Sequence, residues 1–349
     1  MAPISKKHLP FDAWPDEDRA LCVAAFQDGD PFAEEARAAH LCAATRIGLR
    51  AAHARFLGFL TSEDPARLGL PVETRVNRDS IKAYVEHLRQ SCRDTTVAST
   101  LHKLRLFLGL IHPERDWSWL KIIAKRIDVQ ATPRYDCSQG ITSAMLFALG
   151  LQLMAEAKNS ARVAASITKE HALTYRDGLI IALLAAVPLR KRTFAALTVD
   201  QHLVKIGSGW LLDIPAADTK TRRALEFPIP DRLSEPLGLY LTKFRVEIRG
   251  ANQHQGLWPS AKGCPMRGGA IYDSVRRRTL EGLGFPVNLH RFRSAAGKFW
   301  SISDPMNVRG AKDLLGHTDF GTTERHYIGA QSRLAGRALT KVLRSPRQR

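Results

Sequence analysis

Leu289-His290-Arg291-Phe292-Arg293, followed by Leu314-Leu315-Gly316-His317 and then by Thr322-Thr323-Glu324-Arg325-His326-Tyr327, is the stretch on which the reading of this chain turns. An HxxR pattern alone carries little weight in so basic a chain. A second copy, His102-Lys103-Leu104-Arg105, stands in the first third and reads as part of a helix. The order and spacing carry more: HxxR, a long gap, Leu-Gly-His, a short gap, then tyrosine. Gly316 reads as a helix C-cap, with Asp304 and Pro305 as N-cap and first residue of the helix it ends. That assignment puts His317 at a helix junction.

Outward from this stretch, the 349 residues include 52 lysines and arginines against 34 acidic residues, a net charge of +18. Such an excess opposes compaction through self-repulsion unless a polyanion neutralises it, and each phosphate contact releases counterions from nucleic acid. Nucleic acid is the favoured partner. The competing partner, an anionic membrane surface, requires a basic amphipathic helix with a bulky apolar face, and none stands out. Hydrophobic residues make up 44% of the chain and mean hydropathy is −0.20, values of a soluble globular protein. The most apolar run, Leu179–Leu189, is too short to span a bilayer and is followed at once by Arg190, Lys191 and Arg192. Lys6 and Lys7 are not followed by an apolar core, so no secretory signal is expected. The expected location is the cytoplasm of a bacterium, in association with the nucleoid. Cys22, Cys42, Cys92, Cys137 and Cys264 form no CxxC pair, which predicts neither a disulfide framework nor a zinc site and fits a reducing compartment.

Length predicts two domains. Periodicity divides the chain into an N-terminal extension (1–34), a helical bundle (35–130), a linker (131–140) and a larger α+β region (141–349). In the bundle, Ala43–Leu60 is a run of helix formers, and Ile81, Tyr84, Val85 and Leu88 recur at helical spacing. Asp94 opens a helix whose stripe is Val97, Leu101, Leu104, Leu108 and Ile111, ended by His112-Pro113, with Lys103 and Arg105 off the stripe. A last helix holds Trp117, Leu120, Ile123 and Ile127, with Lys121 and Lys125 on another face. Pro133 and Gly140 mark the linker. Beyond it, helices are expected near 141–157 and 172–187, then Pro188 and a short helix from Arg190. Trp210–Ile214 and Ala224–Ile229 read as a hairpin across Asp218–Arg223, with Lys220 near its tip, and the rest reads as helical. No internal repeat is found, and Arg344–Arg349 is a basic tail. The expected fold class is mainly α with a small antiparallel β-sheet.

The chain resembles the tyrosine recombinase (phage integrase) family. Beyond the opening stretch, Val187-Pro188-Leu189-Arg190 followed by Leu197 resembles that family's first-arginine motif. Thr219-Lys220-Thr221 followed by Leu225-Glu226-Phe227-Pro228-Ile229 resembles its β-hairpin lysine. The resemblance covers about 140–340 and, more loosely, the bundle before it. It implies six catalytic residues: Arg190, Lys220, His290, Arg293, His317 and Tyr327. Cleaving a phosphodiester takes a nucleophile and stabilisation of the charge at a phosphorane-like transition state. Tyr327 would attack and form a 3′-phosphotyrosine that conserves the bond energy for rejoining, and its phenol, with a reference pKa of about 10, would require local activation. Arg190 and Arg293 would clamp the nonbridging oxygens in bidentate geometry. Lys220 would protonate the leaving 5′-oxygen, His290 would assist as acid/base partner, and His317 would hydrogen-bond the phosphate. None of this requires a cofactor or metal.

The resemblance further implies a C-shaped clamp on double-stranded DNA, a homotetramer on two recombination sites, and strand exchange through a Holliday junction. A mobile element is the expected setting, with a directionality factor or DNA-bending protein as a candidate accessory. Lys103, Arg105, Lys121, Lys125, Arg134, Arg222 and Arg223 are the expected DNA contacts. Leu334, Leu339 and Val342 would pack on a neighbouring protomer, or alternatively in cis. Two departures stand out. Thr193 occupies the position, one helical turn after the first arginine, where family members usually carry an acidic residue. Tyr327 follows His317 by one residue more than the commoner spacing, which instead holds His326. Arg192 is the register alternative to Arg190. The alternative functions are a type IB topoisomerase-like nicking-closing enzyme and a catalytically silent DNA-binding relic.

Overall fold

Asn77 starts a helix by accepting the Ser80 backbone N–H while the Ser80 hydroxyl receives the Asn77 N–H, a reciprocal cap that fixes where the apolar stripe begins. Local signals of this kind set most of the architecture. The structure is a computed structural model that describes residues 8–28, 36–131 and 140–303. Contacts divide the chain into two units, Met1–Tyr135 and Asp136–Arg349.

The first unit holds α1 (Asp16–Phe26), α2 (Ala43–Glu63), α3 (Val72–Arg75), α4 (Arg78–Arg89), α5 (Asp94–Ile111) and α6 (Ser118–Gln130). The α5 stripe is buried throughout, as are Ile81, Tyr84, Val85 and Leu88 of α4, and Leu120 and Ile127 of α6. The expected extension, residues 1–34, does not stand apart in its described part. That part joins the bundle, since Trp14, Cys22 and Phe26 lie in the same buried cluster as Leu57, Phe107 and Leu108. The reason is partly electrostatic. Asp18 of α1 is fully buried and receives both Arg75 guanidinium nitrogens at 2.6 and 2.8 Å and His53 Nε2 at 2.8 Å. Burial alone would raise the Asp18 carboxyl, but Arg75, then His112 and His53, outweigh it and hold it well below the usual carboxylate range. Losing one partner would leave a buried charge uncompensated, so α1 is tied to α2 and α3.

The second unit holds α7 (Ser143–Val163), α8 (Lys169–Ala186), α9 (Lys191–Ala195), β1 (Leu203–Ile206), β2 (Gly209–Ile214), β3 (Leu225–Pro228), α10 (Asp231–Leu239), α11 (Gly268–Leu283) and α12 (Leu289–Ser303). The α7 and α8 backbones touch at glycines: a Cβ on Gly178 would lie 2.7 Å from the Gly150 carbonyl oxygen. The apolar α8 is thereby sunk in the core, with Leu179 through Leu184 all buried. The sheet is antiparallel in the order β1-β2-β3, with Leu203 opposite Leu212 and Ile214 opposite Leu225.

Two further expectations differ from the structure. The two-stranded hairpin is three-stranded. β1 lies at the edge with only Leu203 buried, so it offers no period-two pattern to read. The region after α10 is not helical throughout. Residues 254–266 run as irregular chain with bridges Thr198–Gly256 and Pro259–Pro265. Arg245 replaces a helical ladder there by donating to the carbonyls of Ala251, His254 and Gly256 at 2.8 to 2.9 Å. No helix among the described residues is long and apolar enough to cross a membrane.

Candidate active site

At the end of α8 the chain turns through Val187-Pro188-Leu189, and the residue before proline is disfavoured in the α region. Val187 and Leu189 are buried, which forces the exit toward one side. Arg190 follows as the extended N-cap position of α9 and is half-buried, whereas Arg192, two positions further on, is exposed. The helix is pinned by Phe194, which stacks on Trp258 at 5.2 Å between ring centroids and whose carbonyl receives the Trp258 indole N–H at 3.0 Å.

Arg293 arrives from α12. Asn288 begins that helix by accepting the Arg291 backbone N–H at 3.2 Å, and the buried Leu289 and Phe292 orient it. Arg293 is buried to 9% exposure, and its guanidinium donates to the Pro188 carbonyl, two residues before Arg190. Burial, and then the neighbouring Arg190 charge, lower the Arg293 guanidinium to about 10, and burial likewise lowers Arg190. Arg293 is therefore close enough to Arg190 for one charge to act on the other, and the planar guanidinium is the side chain whose geometry matches an anion with paired oxygens. His290 lies one helical turn before Arg293 on α12 and is exposed.

Lys220 sits in the β2–β3 connection. Thr219 and Arg222 bracket it in a turn closed by the Arg222 N–H on the Thr219 carbonyl at 3.3 Å, with Arg222 at φ 50°. The buried Thr219 hydroxyl receives the Arg223 N–H at 3.0 Å and locks the base of the turn, leaving Lys220 exposed. The connection is tied back to α9. The Thr193 hydroxyl donates to the Asp218 carbonyl at 3.3 Å. The Asp218 carboxylate lies 3.2 Å from Nε2 of the buried His202. His202 Nδ1 in turn faces the Thr198 backbone N–H at 3.1 Å, so Nδ1 accepts and Nε2 carries the ring proton toward Asp218.

Of the residues expected from sequence, Arg190 and Arg293 are thus brought together, and Lys220 is joined to their frame through α9. His317, Tyr327, Arg134 and the Gly316 cap lie outside the described residues. Lys103 on α5 and Lys121 and Lys125 on α6 are exposed, as are Arg222 and Arg223, while Arg105 is half-buried. Among the described residues no group of three or more His, Cys, Asp or Glu is placed to hold a metal ion. The linkage through Thr193, Asp218 and His202 was missed by sequence reasoning. Its only local trace is that Asp218 stands two residues before Lys220.

Comparison with known proteins gives a consistent outcome. The model of the phage integrase family matches residues 152–333. No curated protein matches the chain. Among solved structures, the XerH site-specific recombinase bound to difH substrate in a pre-cleavage complex is similar with a TM-score of 0.56 and 12% identity, covering 94% of this chain and 96% of that one. The integrase of the Tn1549 transposon, in complex with a circular intermediate DNA, is similar with a TM-score of 0.54 and 16% identity, covering 88% of this chain and 94% of that one. At such identities the likeness is one of fold.

Proposed function

The chain belongs to the phage integrase family, and on that footing we propose that it is a site-specific recombinase that cuts and rejoins duplex DNA through a covalent bond to Tyr327. The observation that carries the reading is the meeting of Arg293 with the segment that leads into Arg190, beside a turn that presents Lys220. A scissile phosphate fits this arrangement: the two guanidinium groups take the nonbridging oxygens, and their attraction grows as charge accumulates in the transition state. The Tyr327 oxygen forms a bond to phosphorus as the bond to the 5′-oxygen breaks. The tyrosine proton passes to a base, the role given to His290, and Lys220 supplies a proton to the leaving oxygen. Rejoining is the reverse, with a 5′-hydroxyl attacking the phosphotyrosine. His317 contributes a hydrogen bond to the same phosphate.

The same reading extends to the assembly. Four copies hold two DNA sites and exchange strands in two steps through a Holliday junction, in the service of a mobile element within the bacterial cytoplasm. A DNA-bending or directionality protein joins them. Lys103, Arg105, Lys121, Lys125, Arg134, Arg222 and Arg223 supply contacts to the phosphate backbone.

The test uses a pool of nicked duplexes of randomised sequence, so that a cleaved strand loses its short 5′-hydroxyl fragment and the adduct is trapped. The wild type is expected to form an SDS-resistant protein–DNA species, and Tyr327→Phe none. Absence of the species from the wild type would sink the enzyme reading and favour a DNA-binding relic. Its persistence in Tyr327→Phe would sink Tyr327 as nucleophile. Relaxation of supercoiled DNA without a site requirement would favour the topoisomerase reading.

A further inference from the structure

Lys220 is an exposed side chain on a four-residue turn, and a lysine has rotamer freedom that an ordered proton donor must give up. Such a donor needs a fixed backbone. The structure provides one, from residues outside the six assigned to the reaction. We propose that Thr193, Asp218 and His202 form a positioning relay that holds the Lys220 turn in register with Arg190. This rests on the reading of Lys220 as the general acid.

Each joint of the relay grips a different atom. The Thr193 hydroxyl takes the main-chain carbonyl of Asp218 (3.3 Å), and the His202 imidazole takes its side-chain carboxylate (3.2 Å). The segment two residues before Lys220 is therefore held by backbone and side chain together. Both anchors are buried. Thr193 lies on the short helix capped by Arg190 and is 7% exposed. His202 is 4% exposed, its Nδ1 is held by the Thr198 N–H at 3.1 Å, and its carbonyl receives the Asp213 N–H of β2 at 3.0 Å. Thr198 is in turn bridged to Gly256. One continuous path of hydrogen bonds thus runs from the helix that begins at Arg190 to the turn that carries Lys220.

The geometry also accounts for the residue type at position 193. A hydroxyl can donate to the Asp218 carbonyl, whereas a carboxylate there would set two acceptors against each other. The hydrogen-bonding carboxylate is instead on Asp218, where the His202 Nε2–H can meet it.

The experiment compares two versions of the nicked duplex recovered with the wild type: the natural phosphodiester, and one with sulfur replacing the bridging 5′-oxygen at the scissile position. A thiol with a reference pKa of about 8.5 leaves as the anion and takes no proton, so the sulfur substrate bypasses the general acid. Lys220→Ala is expected to slow cleavage of the oxygen substrate by about 10²–10⁴ and to recover on sulfur. Asp218→Ala and Thr193→Val are expected to lose about tenfold or more on oxygen and less than about threefold on sulfur. Asp218→Asn keeps an acceptor for His202 and Thr193→Ser keeps the hydroxyl, so each should regain most of the loss. Thermal melting run in parallel checks that the variants fold.

Equal losses on both substrates, or wild-type rates on oxygen, would overturn the relay. So would Asp218→Asn falling as low as Asp218→Ala, which would make the carboxylate charge, and not its hydrogen bond, the active feature. Failure of Lys220→Ala to recover on sulfur removes Lys220 as the acid, and the relay with it. A wild type inert toward both substrates refutes the recombinase reading itself and is distinct from all of these.

Discussion

Arg190 and Arg192 differ by two positions and by nothing in side-chain chemistry, yet the fold treats them differently. Arg190 precedes α9 at its N-cap, half-buried and close enough to Arg293 for its charge to be felt there, while Arg192 is exposed on the helix itself. A guanidinium preorganised against a second one is effective where charge develops on a phosphoryl group, and removing one such donor typically costs 10²–10³ in rate. We expect Arg190→Ala to lower the rate of covalent adduct formation by about that factor and Arg192→Ala to change it by less than about threefold. Single-turnover cleavage of the trapped nicked duplex measures both. A larger loss in Arg192→Ala than in Arg190→Ala would reverse the register.

At the scale of elements, the frame behind Arg190 is the packing of α7 on α8. A Cβ on Gly150 would approach the Ala182 nitrogen and the Gly178 oxygen to 2.6 Å each, and a Cβ on Gly178 would approach the Gly150 oxygen to 2.7 Å. These neighbours are backbone and cannot swing aside, so an added methyl must part the helices. Alanine gains about 1 kcal/mol of helix propensity over glycine, but overpacking costs about 1–3 kcal/mol and more where backbone must move. Gly178→Ala is expected to lower the stability of the second unit by about 2 kcal/mol, seen as a lower urea midpoint. An unchanged or raised midpoint would refute the close approach of the two helices. Elements also show what a sequence can and cannot reveal. The α5 stripe and the Lys220 turn were legible because their signals are local: apolar residues at helical spacing, and turn formers between two strand-like runs. β1 was not, since one buried residue in four carries no period. Nor was the glycine pair, because Gly150 and Gly178 look like ordinary members of Ala-rich helices until their partners are known. His202 and Asp218 stand far enough apart in sequence that only the fold brings them together. The HxxR copy at His102–Arg105 shows the converse: it sits on α5, in the other unit from Arg190 and Lys220, and only motif order set it aside.

For the whole molecule, the central quantity is a charge of +18 on a chain of two units. If the proposed partner is duplex DNA, its phosphates supply the neutralisation that the isolated protein lacks, and binding must then weaken steeply with salt. The roles proposed for the two units make different predictions about salt. Lys103, Lys121 and Lys125 of the first unit are exposed, and the last two stand one turn apart on α6. Lysine ammonium groups in this setting act as point charges that position the protein without reading sequence. Replacing all three by glutamine is expected to weaken binding to any duplex alike and to reduce the slope of log affinity against log salt by about 2–3, since each neutralised phosphate accounts for about 0.9 of that slope. If Arg190 acts, as proposed, on one phosphate in the transition state, Arg190→Ala should leave most of the slope in place while slowing cleavage by about 10²–10³. Fluorescence anisotropy with a labelled duplex across a salt series measures the slope. If the triple variant keeps the wild-type slope, those lysines do not touch phosphate, and the charge of the first unit must act through another face.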